Sequence, residues 1–169
     1  MKKNISFWLV PSIEDENYLS KIVKILSARF NAPLFRPHLT VWGGIEIEEE
    51  KTIEVAKRSI AGIKEFAVEV EKIDAIPVFL KSIFLQIKTN DQLDLIHSRL
   101  KQEFDKENYV LNPHISLVYG NFPTPMKQEM MARLDIKKFI QIDKVAVVAA
   151  SEKGWEDIEG WRELFVSRV

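Results

Sequence analysis

Two segments of the sequence place a hydroxyl residue two positions after a histidine. Pro37-His38-Leu39-Thr40-Val41 lies in the first half of the chain, and Pro113-His114-Ile115-Ser116-Leu117 lies in the second half. In a β-strand, residues i and i+2 point to the same face of the sheet. Each segment, if extended, therefore presents one imidazole and one hydroxyl together and turns its aliphatic residues toward apolar packing.

Two imidazoles and two hydroxyls around one point suit a compact anion with several oxygens. Thr40 and Ser116 can donate hydrogen bonds to phosphoryl oxygens, while His38 and His114 can serve as acid and base in either order. Histidine titrates near pH ~6.5 when unperturbed, so one neutral and one protonated copy can coexist near neutrality. The opening of a cyclic phosphodiester needs this division of labour, because water is deprotonated on one side and an alkoxide is protonated on the other. We expect no metal ion and no other cofactor.

The spacing of apolar residues predicts the elements that carry these segments. Helices are indicated where apolar residues recur at 3/4 spacing, and strands where they alternate or form short runs. In the first half the strands are 5–10, 38–42 and 66–70, and the helices are 15–30 and 48–61. In the second half the strands are 82–88, 114–118, 139–149 and 163–168, and the helices are 91–105 and 126–134.

The order of elements restarts in the second half, which predicts an internal duplication with approximate repeats 5–70 and 82–150. Phe7 precedes His38 by 31 residues (38 − 7), and Phe84 precedes His114 by 30 (114 − 84). A repeat indicates that one structural unit is used twice. If a pseudo-two-fold axis relates the two units, their histidine faces converge on one cleft.

Length and composition favour a single globular domain over 1–169, of a size that suits a monomer. The absence of cysteine excludes a disulfide scaffold, a cysteine-ligated metal and a thiol nucleophile. A net charge of −1 provides no general attraction for nucleic acid or for an anionic membrane. No apolar run approaches the ~20 residues that span a bilayer, so we expect a cytoplasmic protein without membrane association.

The two histidine segments and their surroundings resemble the 2H phosphoesterase superfamily, and within it the cyclic phosphodiesterase branch. The resemblance rests on Phe7-Trp8-Leu9-Val10-Pro11, Pro33-Leu34-Phe35-Arg36-Pro37-His38-Leu39-Thr40, Pro113-His114-Ile115-Ser116-Leu117-Val118-Tyr119-Gly120 and a tryptophan-containing C-terminal hairpin. It implies an α+β fold with two lobes, each an antiparallel sheet flanked by helices, and an active-site cleft between them.

The same resemblance implies hydrolysis of a 2′,3′-cyclic nucleotide or of ADP-ribose 1″,2″-cyclic phosphate to a phosphomonoester. It assigns His38 and His114 to acid–base catalysis and Thr40 and Ser116 to phosphate binding. Tyr119 matches a position that contacts substrate, and its ring could stack on a base. Ser116 stands where many relatives have threonine, which should alter packing more than chemistry.

Other functions remain open at this point. One is an RNA 2′,3′-cyclic phosphodiesterase or 2′-5′ ligase relative that acts on RNA ends, and another is a non-catalytic module that binds nucleotides or RNA ends. The sequence contains neither the motif of a zinc hydrolase nor that of a serine hydrolase. His97 has no partner in the other repeat, so we interpret it as a bystander.

The charge distribution favours a small cyclic-phosphate nucleotide over a long RNA as the partner. Lys21, Lys24, Arg29 and Arg36 give a local charge of +4 between residues 17 and 45, which suits one or two phosphates. A long RNA needs an extended basic track. Trp155 and Trp161 can either line the cleft or pack the C-terminal hairpin, and we favour packing.

Overall fold

Strands and helices alternate along the part of the chain that the structure, a computed structural model, describes: residues 2–104 and 108–169. The strands are β1 Lys2–Pro11, β2 Leu39–Glu48, β3 Phe66–Ala75, β4 Ile83–Ile87, β5 His114–Val118, β6 Phe139–Ala149 and β7 Arg162–Arg168. The helices are α1 Ile13–Phe30, α2 Glu49–Ser59, α3 Asp91–Phe104 and α4 Thr124–Met131. Every predicted element is present, although β1, β2 and β3 are longer than predicted. Residue 105 of the predicted helix 91–105 lies outside the described residues.

The strands form two antiparallel lobes that share β6. The first lobe has the order β2-β1-β6-β7 and the second β5-β4-β3-β6. Residues 139–142 of β6 pair with β3, and residues 142–149 pair with β1. The other junction is narrow, because β2 and β5 pair only through Leu39 and Ile115. The predicted α+β fold with two lobes is confirmed.

The long helix of each half packs across the junction. α1 lies against β5 of the second lobe, and α3 lies against β2 of the first lobe and against α2. Ser12 caps the N-terminus of α1, and Asn31 ends it in the left-handed conformation. Its buried face carries Leu19, Ile22, Val23, Leu26 and Phe30. The helices thus tie the two lobes together behind the histidine strands. No helix within 2–104 or 108–169 is long and apolar enough to cross a bilayer.

The strand register corrects one detail of the predicted repeat. Trp8 pairs with Thr40, and Phe84 pairs with Ser116. Trp8, and not Phe7, is therefore the equivalent of Phe84, and each precedes its histidine by 30 residues (38 − 8 and 114 − 84). A shift of one residue reverses the face of a strand. Phe7 accordingly packs in the main core, whereas Trp8 points to the opposite face.

The corrected register also explains an unpaired polar group. Ser6 and Ser82 are equivalent, since both lie two residues before these aromatic rings, and both are buried. The Trp8 indole N–H donates to the Ser6 hydroxyl at 2.8 Å, and that hydroxyl donates to the Trp42 carbonyl at 3.1 Å. Phe84 has no N–H group, and the Ser82 hydroxyl has no hydrogen-bond partner among the described residues.

This difference predicts opposite effects of two serine-to-alanine substitutions on stability. Ser82→Ala removes an unpaired buried hydroxyl, so we expect the free energy of unfolding to rise by about 1 kcal/mol. Ser6→Ala leaves the Trp8 N–H and the Trp42 carbonyl without this partner, so we expect a loss of about 1–3 kcal/mol. Urea unfolding measures both values, and equal losses in the two variants would contradict the assignment.

Candidate active site

A cavity of about 270 Å³ on the sheet face opposite the main core brings the predicted site residues together. Its walls contain both histidines, both hydroxyl residues of the two segments and Tyr119. The complete lining is Ser6, Trp8, His38, Thr40, Gly43, Gly44, Leu80, His114, Ser116, Tyr119, Trp155 and Trp161. All five residues selected from the sequence therefore lie in one cavity.

The junction of β2 and β5 positions the two histidines. Leu39 and Ile115 are direct register partners, and each follows its histidine in the chain. Both aliphatic side chains are fully buried in the main core. Because neighbouring residues of a strand point to opposite faces, His38 and His114 emerge together on the cavity side.

Each imidazole is held through the same nitrogen. Nδ1 of His38 lies 2.7 Å from the carbonyl oxygen of Arg36, and Nδ1 of His114 lies 2.8 Å from that of Asn112. A carbonyl oxygen can only accept, so Nδ1 carries the proton in both rings. In the neutral form, Nε2 of each ring is then the nitrogen with a free lone pair.

The free enzyme does not match the expectation of one protonated and one neutral histidine. The pKa of His38 is lowered to about 3, mainly by burial. The hydrogen bond to the Arg36 carbonyl raises this pKa, whereas the charges of His114 and Arg36 lower it. Burial also lowers the pKa of His114, and the positive charge of Lys81 acts in the same direction. Both imidazoles are therefore neutral in the empty site at neutral pH.

The aromatic neighbours of the two histidines differ. The Trp8 ring stacks on His38, with the ring centroids 3.4 Å apart and the planes 7° from parallel. Phe84 instead meets His114 at 76° with the centroids 5.8 Å apart, and the Lys81 ammonium lies 4.2 Å from the Phe84 centroid. His38 is consequently enclosed in an aromatic wall, whereas His114 is partly exposed and has a cation nearby.

The two hydroxyl residues are also in different states. Ser116 donates to the Leu80 carbonyl at 2.8 Å, whereas the Thr40 hydroxyl makes no hydrogen bond to the described residues. Burial raises the pKa of the neighbouring Tyr119 phenol. The hydroxyl proton of Ser116 is therefore already engaged by the Leu80 carbonyl, whereas that of Thr40 has no such partner among the described residues.

Tyr119 is not available as a stacking surface. Its side chain is only 3% exposed, Phe35 stacks on it with centroids 3.8 Å apart, and Trp161 meets it edge-on. The possible stacking of Tyr119 on a base is therefore not supported, because its faces are covered. Tyr119 contributes its side chain to the cavity wall.

Trp155 and Trp161 lie in the cavity, although the sequence predicted that they pack the hairpin. Both are half-buried, and Trp161 meets Trp8 and Trp155 edge-on. Their indole groups are anchored, since Trp155 donates to Asn4 at 3.2 Å and Trp161 donates to the Trp155 carbonyl at 2.9 Å. The signal in the sequence was the presence of two tryptophans in an otherwise charged connection between β6 and β7.

None of the four cations that give the predicted local charge of +4 lines the cavity. Arg36 pairs with Glu16 at 2.7 Å and with Glu163 at 2.5 Å. Lys21, Lys24 and Arg29 are exposed on α1. Lys81, which lies outside the predicted cluster of cations, is instead the lysine that acts on His114.

His97 lies on α3, outside the cavity lining. Its two ring nitrogens face the carbonyl oxygens of Val41 and Tyr109 at 3.3 and 3.2 Å, and its ring packs on Trp42. Within residues 2–104 and 108–169, no group of three or more histidine, aspartate or glutamate side chains is placed to hold a metal ion.

Comparison with known proteins gives a family for almost the whole chain. A family profile described as "Cyclic phosphodiesterase-like protein" matches residues 1–162. The 2′,3′-cyclic-nucleotide 3′-phosphodiesterase of Kluyveromyces lactis is 29% identical over 147 residues, which are 75% of this chain and 68% of that protein.

Two solved structures share the fold at low sequence identity. E. coli LigT, crystallised with 3′-AMP, aligns with a TM-score of 0.65 and 11% identity over 100% of this chain and 99% of that one. TT0787 of Thermus thermophilus aligns with a TM-score of 0.65 and 16% identity over 99% of this chain and 97% of that one.

The lowered pKa values predict that anion binding to the cavity takes up a proton. A negative charge between His38 and His114 raises the pKa of an imidazole above its value in the free enzyme. Affinity should therefore increase as pH falls toward the lowered free-state values, by up to about tenfold per pH unit for one proton. Sulfate is a suitable probe, because its charge is constant between pH 8 and 5.

Calorimetric titration with sulfate at several pH values measures this dependence. The slope should decrease in His114→Gln or His38→Gln and stay unchanged in His97→Gln, which alters a histidine outside the cavity. A sulfate affinity that is the same at pH 8 and pH 5 in the wild type would contradict the prediction.

Proposed function

The chain belongs to the cyclic phosphodiesterase-like protein family, a member of the 2H phosphoesterases that act on cyclic phosphates, and from that premise we propose its reaction. The protein hydrolyses a small nucleoside 2′,3′-cyclic phosphate or ADP-ribose 1″,2″-cyclic phosphate to a phosphomonoester. The observation that carries this proposal is the pair of imidazoles, each held at Nδ1 by a backbone carbonyl, in one cavity with two hydroxyl groups.

The two histidines supply both proton transfers of the reaction. Nε2 of one imidazole accepts a proton from water while the water oxygen forms a bond to phosphorus. The bond from phosphorus to one ribose oxygen breaks, and the imidazolium of the other histidine protonates that oxygen. Because both rings are neutral in the free site, the acid acquires its proton when the anionic substrate binds. No metal ion is needed for these steps.

The hydroxyl of Thr40 donates to a non-bridging phosphoryl oxygen, on which charge increases as water attacks. Ser116 donates to another such oxygen after it turns away from the Leu80 carbonyl. The apolar wall around them excludes water, which strengthens these hydrogen bonds. The Lys81 ammonium near His114 adds attraction for the anion.

Several features of the cavity support a small substrate over a long RNA. A volume of about 270 Å³ is below the ~300–1,000 Å³ that is usual for drug-sized ligands. The half-exposed rings of Trp155 and Trp161 offer a stacking surface for one base, which accepts any base because each has a π-face. Arg36 is neutralised by two carboxylates, so it does not begin a track for a phosphate backbone.

Replacement of either histidine tests the proposed division of labour. His38→Ala and His114→Ala should each lower kcat/KM for a nucleoside 2′,3′-cyclic phosphate by about 10²–10⁴-fold, and EDTA should leave the wild-type rate unchanged. A cyclic phosphorothiolate with sulfur at the leaving ribose position needs no acid, because a thiolate is a far weaker base than an alkoxide.

The thio substrate should therefore restore the rate of one histidine variant and not of the other. Both ribose positions are tested for the sulfur, and His97→Ala is the control on each substrate. Full activity of either cavity variant on the oxygen substrate would sink the two-histidine mechanism.

The two hydroxyl residues should differ in importance. Thr40→Val preserves shape and removes a donor that has no other partner among the described residues, so we expect kcat/KM to fall by about 10²–10³-fold. Ser116→Ala removes a donor that must first release Leu80, so its effect should be smaller. Steady-state kinetics at saturating and limiting substrate measure both, and a larger loss for Ser116→Ala would contradict this order.

A further inference from the structure

A second pocket lies beside the catalytic cavity, on the same face of the first lobe. It has a volume of about 180 Å³, and Trp8 and Trp161 line both spaces. Trp8, Ala146 and Val148 form the apolar surface on this face, and Trp155, Trp161 and Val166 pack against it. The wall that Trp8 and Trp161 form therefore separates two neighbouring depressions on one continuous surface.

We propose that this second pocket binds an aromatic base that carries an amino group and is joined, through a phosphate linkage, to the ribose whose cyclic phosphate is opened. This inference rests on the function proposed above and specifies its substrate class. The bound molecule would then place its cyclic phosphate in the catalytic cavity and this base beyond Trp161.

The walls of the second pocket suit a flat ring. Leu34 is 60% exposed at the rim, and Phe35, Ile158 and Trp161 supply the remaining apolar surface. Leu34 and Phe35 belong to the connection between α1 and β2. Exposed aliphatic and aromatic groups favour burial of a base over hydration of the empty surface.

The charges at the rim select against phosphate and in favour of a hydrogen-bond donor. Arg36 binds Glu16 through two nitrogens and Glu163 through a third, so these three side chains carry a net charge of −1. Only Oε2 of Glu163 is paired with Arg36, and Oε1 has no hydrogen-bond partner among the described residues. A carboxylate oxygen accepts only, which matches the amino group of adenine or cytosine.

The wild-type protein provides the first test. Four substrates are compared by kcat/KM: uridine 2′,3′-cyclic phosphate, the same nucleotide extended on its 5′ side by adenosine or by inosine, and ADP-ribose 1″,2″-cyclic phosphate. We expect kcat/KM for an adenine-bearing substrate to exceed kcat/KM for the mononucleotide by roughly tenfold, in line with the stacking of one base. Inosine has a carbonyl in place of the amino group, so the inosine-extended nucleotide should show little increase in kcat/KM over the mononucleotide.

The two adenine-bearing substrates distinguish the kind of linkage. In the extended nucleotide a phosphodiester joins adenosine to the ribose that bears the cyclic phosphate, and in ADP-ribose 1″,2″-cyclic phosphate a diphosphate does so. Leu34→Asn and Glu163→Gln should each lower kcat/KM for the preferred substrate to the value for the mononucleotide. Neither substitution should change kcat/KM for the mononucleotide. Leu95→Asn replaces an exposed leucine on α3 and is the matched control.

The outcomes separate this inference from the proposed function. If none of the four substrates is hydrolysed, the proposed function is wrong. Equal kcat/KM for uridine cyclic phosphate and all extended substrates in the wild type overturns the second pocket alone, whether or not the variants fold.

Discussion

The single register pair between Leu39 and Ile115 is the contact on which the site depends. It joins the edge strands of the two lobes at one point only, because β2 and β5 diverge from there and leave the cavity between them. A longer ladder would close the cleft, and no ladder would leave each histidine on a separate sheet. The shared strand β6 and the crossing helices α1 and α3 hold the junction at this width.

Burial at this junction determines the electrostatics of the site. Desolvation disfavours an imidazolium and so holds both histidines neutral until an anion arrives. The protein thereby avoids two buried cations facing each other in the empty cavity. In the proposed function, an anionic substrate and a proton bind together through the Coulomb attraction between them. The proposed acid–base chemistry then uses two identical side chains, neither of which has a carboxylate partner among the described residues.

Period and spacing were sufficient to predict the strands and helices and to select the two histidines and the two hydroxyl residues, because alternation determines which side chains share a face. The two-lobed fold and Tyr119 were predicted from the resemblance to the 2H phosphoesterases. Period and spacing could not give the register, and a shift of one residue moved the aromatic partner from Phe7 to Trp8. Protonation states, the covering of Tyr119 by Phe35 and the entry of Trp155 into the cavity depend on contacts between segments far apart in the chain. Such contacts have no local signature in the sequence. The charge of Arg36 was likewise visible, but its pairing with Glu16 and Glu163 was not.

The two halves of the chain use similar residues for unequal tasks. Trp8 donates a hydrogen bond to Ser6 and stacks on His38. The equivalent Phe84 has no N–H group to offer Ser82, which is unpaired among the described residues, and it meets His114 edge-on. The first half is thus the more rigid wall, and it also borders the second pocket. The proposed function would benefit from this inequality, because it needs one side of the site to hold a ring and the other to exchange protons with solvent. The pseudo-symmetric arrangement supplies two imidazoles, and the departures from symmetry give each of them a different environment.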